Sequence, residues 1–162
     1  KNYYKWGYYK ENLSELNLKF FSLFQTLILK KLIEYKKIHS LSNDLIIKNW
    51  PKKYYLNSWS NTLKKEGYNK AHIHPSGWVS GVFYINIPKN LKNKEGGIEF
   101  SLHGYDFIKG KEEIPNITHV PEIGDLVLFP SSLHHKTIPF ESAGERVCIA
   151  FDFCKIDSKN IK

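Results

Sequence analysis

The sequence predicts a mainly β protein, an antiparallel barrel or jelly roll with helices at its N-terminal end. From residue 54 onward, short runs of alternating apolar and polar residues are separated by turns rich in glycine and proline. No helical periodicity lies between these runs, which favours antiparallel pairing over alternating β-α-β units. Hydrophobic residues make up 41% of the chain and aromatic residues 15%, as is typical of a folded globule.

The N-terminal region 1–50 is predicted to form helical support for the sheets. Apolar side chains recur at three- and four-residue steps between residues 13 and 38, which indicates one long helix. The apolar stripe is wide, so we expect this helix to pack on a sheet, and a short second helix is expected after Ser42. The members of the stripe are Leu13, Leu16, Phe20, Phe24, Leu27 and Ile28.

The predicted β core covers residues 54–153 within a single domain, 1–162. Each predicted strand ends at a turn signal or a proline, so its length is bounded by the sequence itself. The segments are, in order, YYLNSWSNTL with a Lys-Lys-Glu-Gly turn after it, WVSGVFYINIP, GGIEFSL, ITHV, LVLFP after a PEIGD turn, HHKTIPF, and RVCIAFDF after a Ser-Ala-Gly-Glu turn.

Composition limits the classes of partner. The net charge is +8, but the lysines are spread along the chain and no nucleic-acid-binding motif is present, so a solvated lysine surface is expected. No apolar run reaches the roughly 20 residues of a membrane span, and no secretory leader is recognisable, so we expect a cytoplasmic protein. Cys148 and Cys154 have no metal-type spacing and are interpreted as structural thiols. The sequence does not indicate the oligomeric state.

Histidines occur in pairs at two places, His72 with His74 and His134 with His135. In an extended segment, residues two apart point to the same face, so His72 and His74 can converge on one point. A third imidazole from a distant strand would complete a site suited to iron, zinc, copper or nickel. The alternative is that these histidines are surface residues or hydrogen-bonded core residues.

Arg146 is the only arginine among 24 basic lysine and arginine residues. Its guanidinium is planar and permanently charged, and it can bind a carboxylate with two parallel hydrogen bonds, which lysine cannot do. Its position at the start of an apolar strand therefore suggests a site for a carboxylate ligand. Biased codon usage that spared one arginine by chance is the alternative.

Four segments, taken together and in order, resemble the 2-oxoglutarate- and iron(II)-dependent oxygenases, most closely a bacterial and phage-type subgroup with a His-x-His-Pro segment. The likeness spans residues 54–153 and implies a double-stranded β-helix, the cupin-like form of the jelly roll, with helices on its outside. The segments are HIHPSGWVSGVFYINIP, GGIEF, PEIGDLVLFPSSLHHKTIPF and GERVCIAFDF.

The resemblance implies a role for five residues. The metal ligands of the family correspond to His72, His74 and the distal His135, which leaves the preceding histidine in a variable position. The cation that pairs with the far carboxylate of 2-oxoglutarate corresponds to Arg146, and Tyr84 matches a tyrosine that hydrogen-bonds the same carboxylate. The implied reaction decarboxylates 2-oxoglutarate to succinate and CO2 and commonly hydroxylates a second substrate.

The sequence departs from the family at His74, where most relatives carry Asp or Glu. A carboxylate from elsewhere is the alternative ligand, and the candidates are Glu99, Asp125 and Asp152. Glu99 is expected to be a solvent-facing strand residue and Asp125 a turn residue. Asp152 is the weakest of the three candidates.

Two rival functions remain open at this point. One is a cupin-type metal enzyme that does not use 2-oxoglutarate, although the glutamate usual shortly after His-x-His is replaced by Trp78 and Val79. The other is a jelly-roll binding module without catalysis. The substrate, a small molecule or a peptide, is not indicated. Aromatic residues expected in the core are Trp59, Trp78 and Phe83, and the polar strand residues expected near the site are Asn61 and Ser80.

Overall fold

The computed structural model describes residues 4–11, 18–104 and 114–156, which form two antiparallel sheets and two helices. These elements confirm the predicted mainly β, jelly-roll class. The helices are α1 (Leu18–Ile38) and α2 (Leu45–Lys48), and the strands are β1 (Tyr4–Glu11), β2 (Tyr54–Asn69), β3 (Val79–Asn86), β4 (Ile98–Ser101), β5 (Asn116–His119), β6 (Leu126–Pro130), β7 (His134–Thr137) and β8 (Arg146–Lys155).

The strands are arranged as a five-stranded and a three-stranded sheet. The larger sheet has the order β1-β2-β8-β3-β6 and the smaller has the order β5-β4-β7, with antiparallel pairing throughout. Ile98 of the smaller sheet packs in one buried cluster with Trp59, Val82 and Ala150 of the larger sheet. The interior of the jelly roll is therefore the space between the two sheets.

Helix α1 covers the outer face of the larger sheet. Phe24, Ile28 and Leu32 are buried in one cluster with Phe151 and Phe153 of β8. These helix positions repeat every four residues, so the buried stripe is narrower than the sequence suggested. The remaining described members of the predicted stripe, Phe20 and Leu27, are exposed. The part of the predicted helix before Leu18 lies outside the described residues.

The short helix expected after Ser42 is α2. The Asp44 side chain caps it by accepting a hydrogen bond from the backbone N–H of Ile46. The Trp78 indole N–H donates to the Ile46 carbonyl at 2.9 Å, which fixes α2 against the start of β3. Among the residues that the structure describes, neither helix combines the length and apolar character needed to cross a membrane.

The N-terminal half contains the expected helices but differs from the predictions at two places. Region 1–50 contains strand β1 in addition to helices, and β1 pairs with β2 along its length. The predicted turn at residues 64–67 does not end β2, because the strand continues through it to Asn69. Glu66 adopts a φ of 61° there and donates its N–H to the Phe140 carbonyl at 2.7 Å. The residues typical of turns thus form an irregularity within a continuous strand.

Strand β8 lies at the centre of the larger sheet, and its two faces serve different purposes. Ile149, Phe151 and Phe153 belong to the cluster under α1. Because successive side chains of a strand point to opposite faces, the even-numbered residues face the other sheet. Arg146 and Asp152 are therefore directed into the interior, where both are buried.

Candidate metal centre

Three histidines from two separated segments converge on one point. His72, His74 and His135 each offer a ring nitrogen, and the three nitrogens lie within 4.8 Å of one another. The ring centroids of His72 and His135 are 4.3 Å apart, and those of His74 and His135 are 5.0 Å apart. Spacing of this kind permits all three imidazoles to bind a single transition-metal ion.

Backbone hydrogen bonds hold the segment between β2 and β3 against β7. His72 and His135 form an isolated antiparallel bridge, with N–H to carbonyl distances of 3.1 and 3.0 Å. The N–H of His74 donates to the Ser131 carbonyl at 2.9 Å. The His-x-His segment is therefore held beside the third histidine, which meets the condition under which His72 and His74 were expected to converge.

The second nitrogen of each ring has a protein partner. Nδ1 of His72 lies 2.6 Å from the Lys70 carbonyl, and Nδ1 of His135 lies 3.1 Å from the Leu133 carbonyl. Nδ1 of His74 lies 2.6 Å from Oδ1 of Asp152. All three partners are acceptors, so each Nδ1 carries the proton and each Nε2 is left with a lone pair for a metal ion.

Burial favours the neutral form of the His72 and His135 rings. Burial, as the larger cause, and the neighbouring imidazoles of His72 and His74 together lower the pKa of His135 to about 3. Burial also lowers the pKa of His72 below its ordinary value. Neutral imidazole is the form that binds metals, so these two ligands are ready for a cation at neutral pH.

Arg146 is buried in the same interior as the histidines. Its Nε donates to the Gly96 carbonyl at 2.9 Å, and its Nη2 donates to the Tyr84 hydroxyl at 3.2 Å. Among the described residues, no Asp or Glu side chain forms an ion pair with it. A buried cation without a carboxylate partner is costly, so this arrangement fits an anionic ligand.

The groups that touch Arg146 do not neutralise its charge. Burial raises the pKa of Tyr84 to about 12, an effect that the Arg146 charge opposes, so the phenol stays protonated. Cys148 Sγ lies 3.6 Å from Nη1, and burial raises the pKa of its thiol. The Tyr84 hydroxyl accepts from Arg146 and keeps its own proton to donate to a ligand.

The family comparison agrees with this geometry. A family model described as "Putative 2OG-Fe(II) oxygenase" matches residues 57–152, which include all three histidines, Tyr84 and Arg146. The chain belongs to this family. No curated protein sequence shows significant similarity to it.

A solved structure shares the fold of this family member. HygX from Streptomyces hygroscopicus, solved with nickel and 2-oxoglutarate bound, has a TM-score of 0.58 and 14% identity, covering 94% of this chain and 71% of HygX. A Pseudomonas putida prolyl-4-hydroxylase has a TM-score of 0.46 and 18% identity, covering 63% of this chain and 52% of the enzyme. A Burkholderia pseudomallei oxidoreductase of the 2OG-Fe(II) oxygenase family has a TM-score of 0.49 and 14% identity, covering 74% of this chain and 49% of that protein. The chain thus spans about half the length of the latter two proteins.

In this family member, the other sequence candidates lie away from the histidine cluster. His134 points to the opposite side of β7, where a Cβ on Gly104 would collide with its ring. Glu99 forms an ion pair with Lys136 at 2.8 Å, in keeping with a solvent-facing strand residue. Asp125 accepts a hydrogen bond from the N–H of Glu122 in a turn, as expected.

Asp152 is the site residue that sequence reasoning undervalued. It is not among the three grouped ligands, yet it contacts the Nδ1 of His74 directly. The alternation of β8 contained the signal, since Asp152 lies on the same face as Arg146 at a spacing of six residues. The contact with His74 was not predicted, because β8 and the His-x-His segment are far apart along the chain.

A polar and aromatic cavity connects the histidines with Arg146. Trp59 is buried, as expected of a core residue, and also stacks on His74 with centroids 5.5 Å apart. Asn61 lines the cavity as predicted, whereas Asn69 and Thr137 were not anticipated. Oδ1 of Asn69 is buried without a hydrogen-bond partner in the described part of the chain. A ligand or water with a donor group would satisfy it.

The remaining predicted pocket and core residues take structural positions on both faces of the larger sheet. Trp78 and Phe83 pack against the cluster under α1, as expected of core aromatics. Ser80 does not line the cavity and instead hydrogen-bonds Asp152. Cys148 and Cys154 are buried free thiols.

Proposed function

We propose that this family member is an Fe(II)- and 2-oxoglutarate-dependent dioxygenase that hydroxylates a small molecule or peptide. The observation that supports it most is the combination of two features in one cavity. Three imidazoles are positioned to bind one ion, and a buried guanidinium has no acidic partner among the described residues. A metal ion and a dicarboxylate would together satisfy both groups.

His72, His74 and His135 would hold Fe(II) through their Nε2 atoms. When bound together, Fe(II) and 2-oxoglutarate supply dioxygen activation, with decarboxylation of 2-oxoglutarate to succinate and CO2. The chain itself contributes placement and a dry cavity. Phe129 lies 4.6 Å from the His135 ring, centroid to centroid, and Phe100 packs behind it, so apolar surface borders the ligands on that side.

Arg146 and Tyr84 would bind the far carboxylate of 2-oxoglutarate. The Gly96 carbonyl and the Tyr84 hydroxyl fix the guanidinium in the cavity. Its remaining N–H groups and the Tyr84 proton can then donate to the same carboxylate. A pre-positioned and permanently charged donor of this kind lowers the ordering cost of binding.

We further propose that the chain acts as a single domain, 1–162, in the cytoplasm. Two buried free thiols are compatible with a reducing compartment.

The test is anaerobic loading of the purified protein with Fe(II). We expect one tightly held iron per chain, visible charge-transfer absorption when 2-oxoglutarate is added, and formation of succinate when air is admitted. Metal binding without any response to 2-oxoglutarate would favour the cupin-type enzyme, for which the all-histidine donor set is the supporting observation. Absence of metal binding would leave only the non-catalytic binding module.

A further inference from the structure

We infer that Asp152 is a positioning residue that orients His74 and returns to the metal centre the negative charge that an all-histidine ligand set lacks. The inference rests on the metal site proposed above. It concerns a residue outside the ligand set, and it follows from contacts within this chain.

The contact between the two side chains is short and shielded from water. His74 Nδ1 and Asp152 Oδ1 are 2.6 Å apart, and the two side chains are 12% and 9% exposed. His72 and His135 direct their Nδ1 atoms to neutral backbone carbonyls. Among the three rings, His74 alone is bonded to a group that carries a full charge.

Asp152 is itself held by a chain of buried hydroxyl groups. Ser80 is its direct cross-strand neighbour on β3 and donates to Oδ1 at 2.6 Å. Since the Ser80 proton points to the carboxylate, the Ser131 hydroxyl at 2.8 Å donates to Ser80. Ser80 is fully buried and Ser131 almost so. This network fixes the carboxylate oxygen toward His74 and restricts its rotation.

Gly77 provides the space for this network. A Cβ at Gly77 would collide with the Ser131 hydroxyl and would lie 3.3 Å from Cγ of Asp152. The N–H of Gly77 also donates to the His74 carbonyl at 3.0 Å, which folds the chain back over the network. The His-x-His segment and the anchor of Asp152 are therefore one packed unit.

The charge of Asp152 has no lysine or arginine partner in the described part of the chain. Its ion-pair contact there is His74, which is neutral in the metal-binding form. Burying a carboxylate among neutral neighbours costs free energy of folding unless a cation is close. A divalent ion on the far nitrogen of His74 would supply that cation, and it would be among the strongest local charges.

This arrangement accounts for the departure from the family pattern at His74, where most relatives carry Asp or Glu. A doubly charged ion bound by three neutral imidazoles keeps its whole charge, whereas a carboxylate ligand would neutralise one positive charge. Asp152 supplies that negative charge through the His74 ring instead of by direct ligation. A carboxylate on the outer nitrogen also fixes the tautomer and makes the imidazole a stronger ligand.

The first measurement uses the metal-free protein and ¹⁵N NMR of the histidine rings. In the wild type, we expect His74 to appear as the tautomer protonated on Nδ1. Asp152→Ala should shift His74 toward a mixture of tautomers, because the acceptor is lost. Asp152→Asn should retain the Nδ1 tautomer, since the amide oxygen can accept the same hydrogen bond. An unchanged His74 tautomer in Asp152→Ala would overturn the orienting role.

The second measurement is the dissociation constant for Co(II), obtained by titration against a competing chelator. We expect Asp152→Ala to weaken binding by about 10- to 100-fold and Asp152→Asn to weaken it by less. The matched control is Asp125→Asn, which removes the carboxylate of the His119–Asp125 pair at 3.0 Å outside the histidine cluster. This control should bind Co(II) as the wild type does.

The outcomes separate this inference from the proposed function. If the wild type binds Co(II) and Asp152→Asn binds it equally well, the charge role of Asp152 is wrong and the metal site stands. If the wild type itself does not bind Co(II), both proposals fail. Because Asp152→Asn preserves the shape of the side chain, this test does not depend on Asp152→Ala being able to fold.

Discussion

Arg146 and Tyr84 face each other across neighbouring strands, with Nη2 of the arginine 3.2 Å from the tyrosine hydroxyl. The guanidinium carbon also lies 4.8 Å from the centre of the tyrosine ring. The cation therefore has a hydrogen bond and an aromatic face as neighbours, but no acidic partner in the described part of the chain. This relationship leads to the first prediction.

Arg146→Lys should weaken 2-oxoglutarate binding by about 10- to 100-fold while leaving metal affinity unchanged. A lysine ammonium cannot make two parallel hydrogen bonds to a carboxylate and also donate to the Gly96 carbonyl, as the guanidinium can. Tyr84→Phe should weaken 2-oxoglutarate binding by about 3- to 10-fold, because it removes one hydrogen-bond donor and keeps the ring. Isothermal titration with the metal-loaded proteins measures both effects. Equal 2-oxoglutarate affinity in wild type and Arg146→Lys would contradict the assignment.

His135→Ala should abolish tight binding of one metal ion, because it removes one of three converging nitrogens. His134→Ala is the matched control, since its ring lies on the other side of the same strand beside Gly104. The metal content after dialysis, measured by elemental analysis, distinguishes the two variants. Loss of metal from His134→Ala with retention in His135→Ala would mean that the distal ligand is misassigned.

Gly77→Ala should reduce the free energy of unfolding by about 1–3 kcal/mol, because the new Cβ overlaps the buried Ser131 hydroxyl. The same change should weaken Co(II) binding, because it displaces the anchor of Asp152. Ser76→Ala, at the exposed neighbouring position, serves as the control for both quantities. Urea denaturation and Co(II) titration provide the measurements. A Gly77→Ala protein as stable as the control would show that the turn relaxes freely.

The stability of the metal-free protein should decrease on acidification. The pKa of His135 is about 3 in the folded chain and about 6.5 in the unfolded chain, so between these values the unfolded state binds more protons. The free energy of unfolding should therefore fall as pH is lowered from 7 toward 3. His135→Gln should show a shallower slope in urea denaturation with chelator present. An identical slope in the variant would argue against a buried neutral His135.

Ile28→Ala should destabilise the fold by about 2–5 kcal/mol, because Ile28 is fully buried between α1 and the larger sheet. Ile33→Ala on the exposed side of the same helix should change stability by less than about 0.5 kcal/mol. Both variants lose the same atoms, so the difference measures packing rather than helix propensity. Similar losses in the two variants would mean that α1 is not docked as described.

The residues with distinctive chemistry could be recognised from the sequence. The histidine spacing, the single arginine and the order of turn-bounded strands pointed to this fold and to this cavity. Such features are local, because strand alternation and turn residues act over a few positions. The same local rules failed at β1, where no pattern was recognised, and at residues 64–67, where turn-forming residues lie within β2.

What the sequence by itself determined is which groups are available and which side of each strand they occupy. Only the tertiary structure decided that Asp152 meets His74, because their contact depends on the register that places Ser80 opposite Asp152 in the sheet. This register depends on interactions between strands that are distant in the chain. A shift of one residue would turn Asp152 toward α1 and leave His74 without its charged partner.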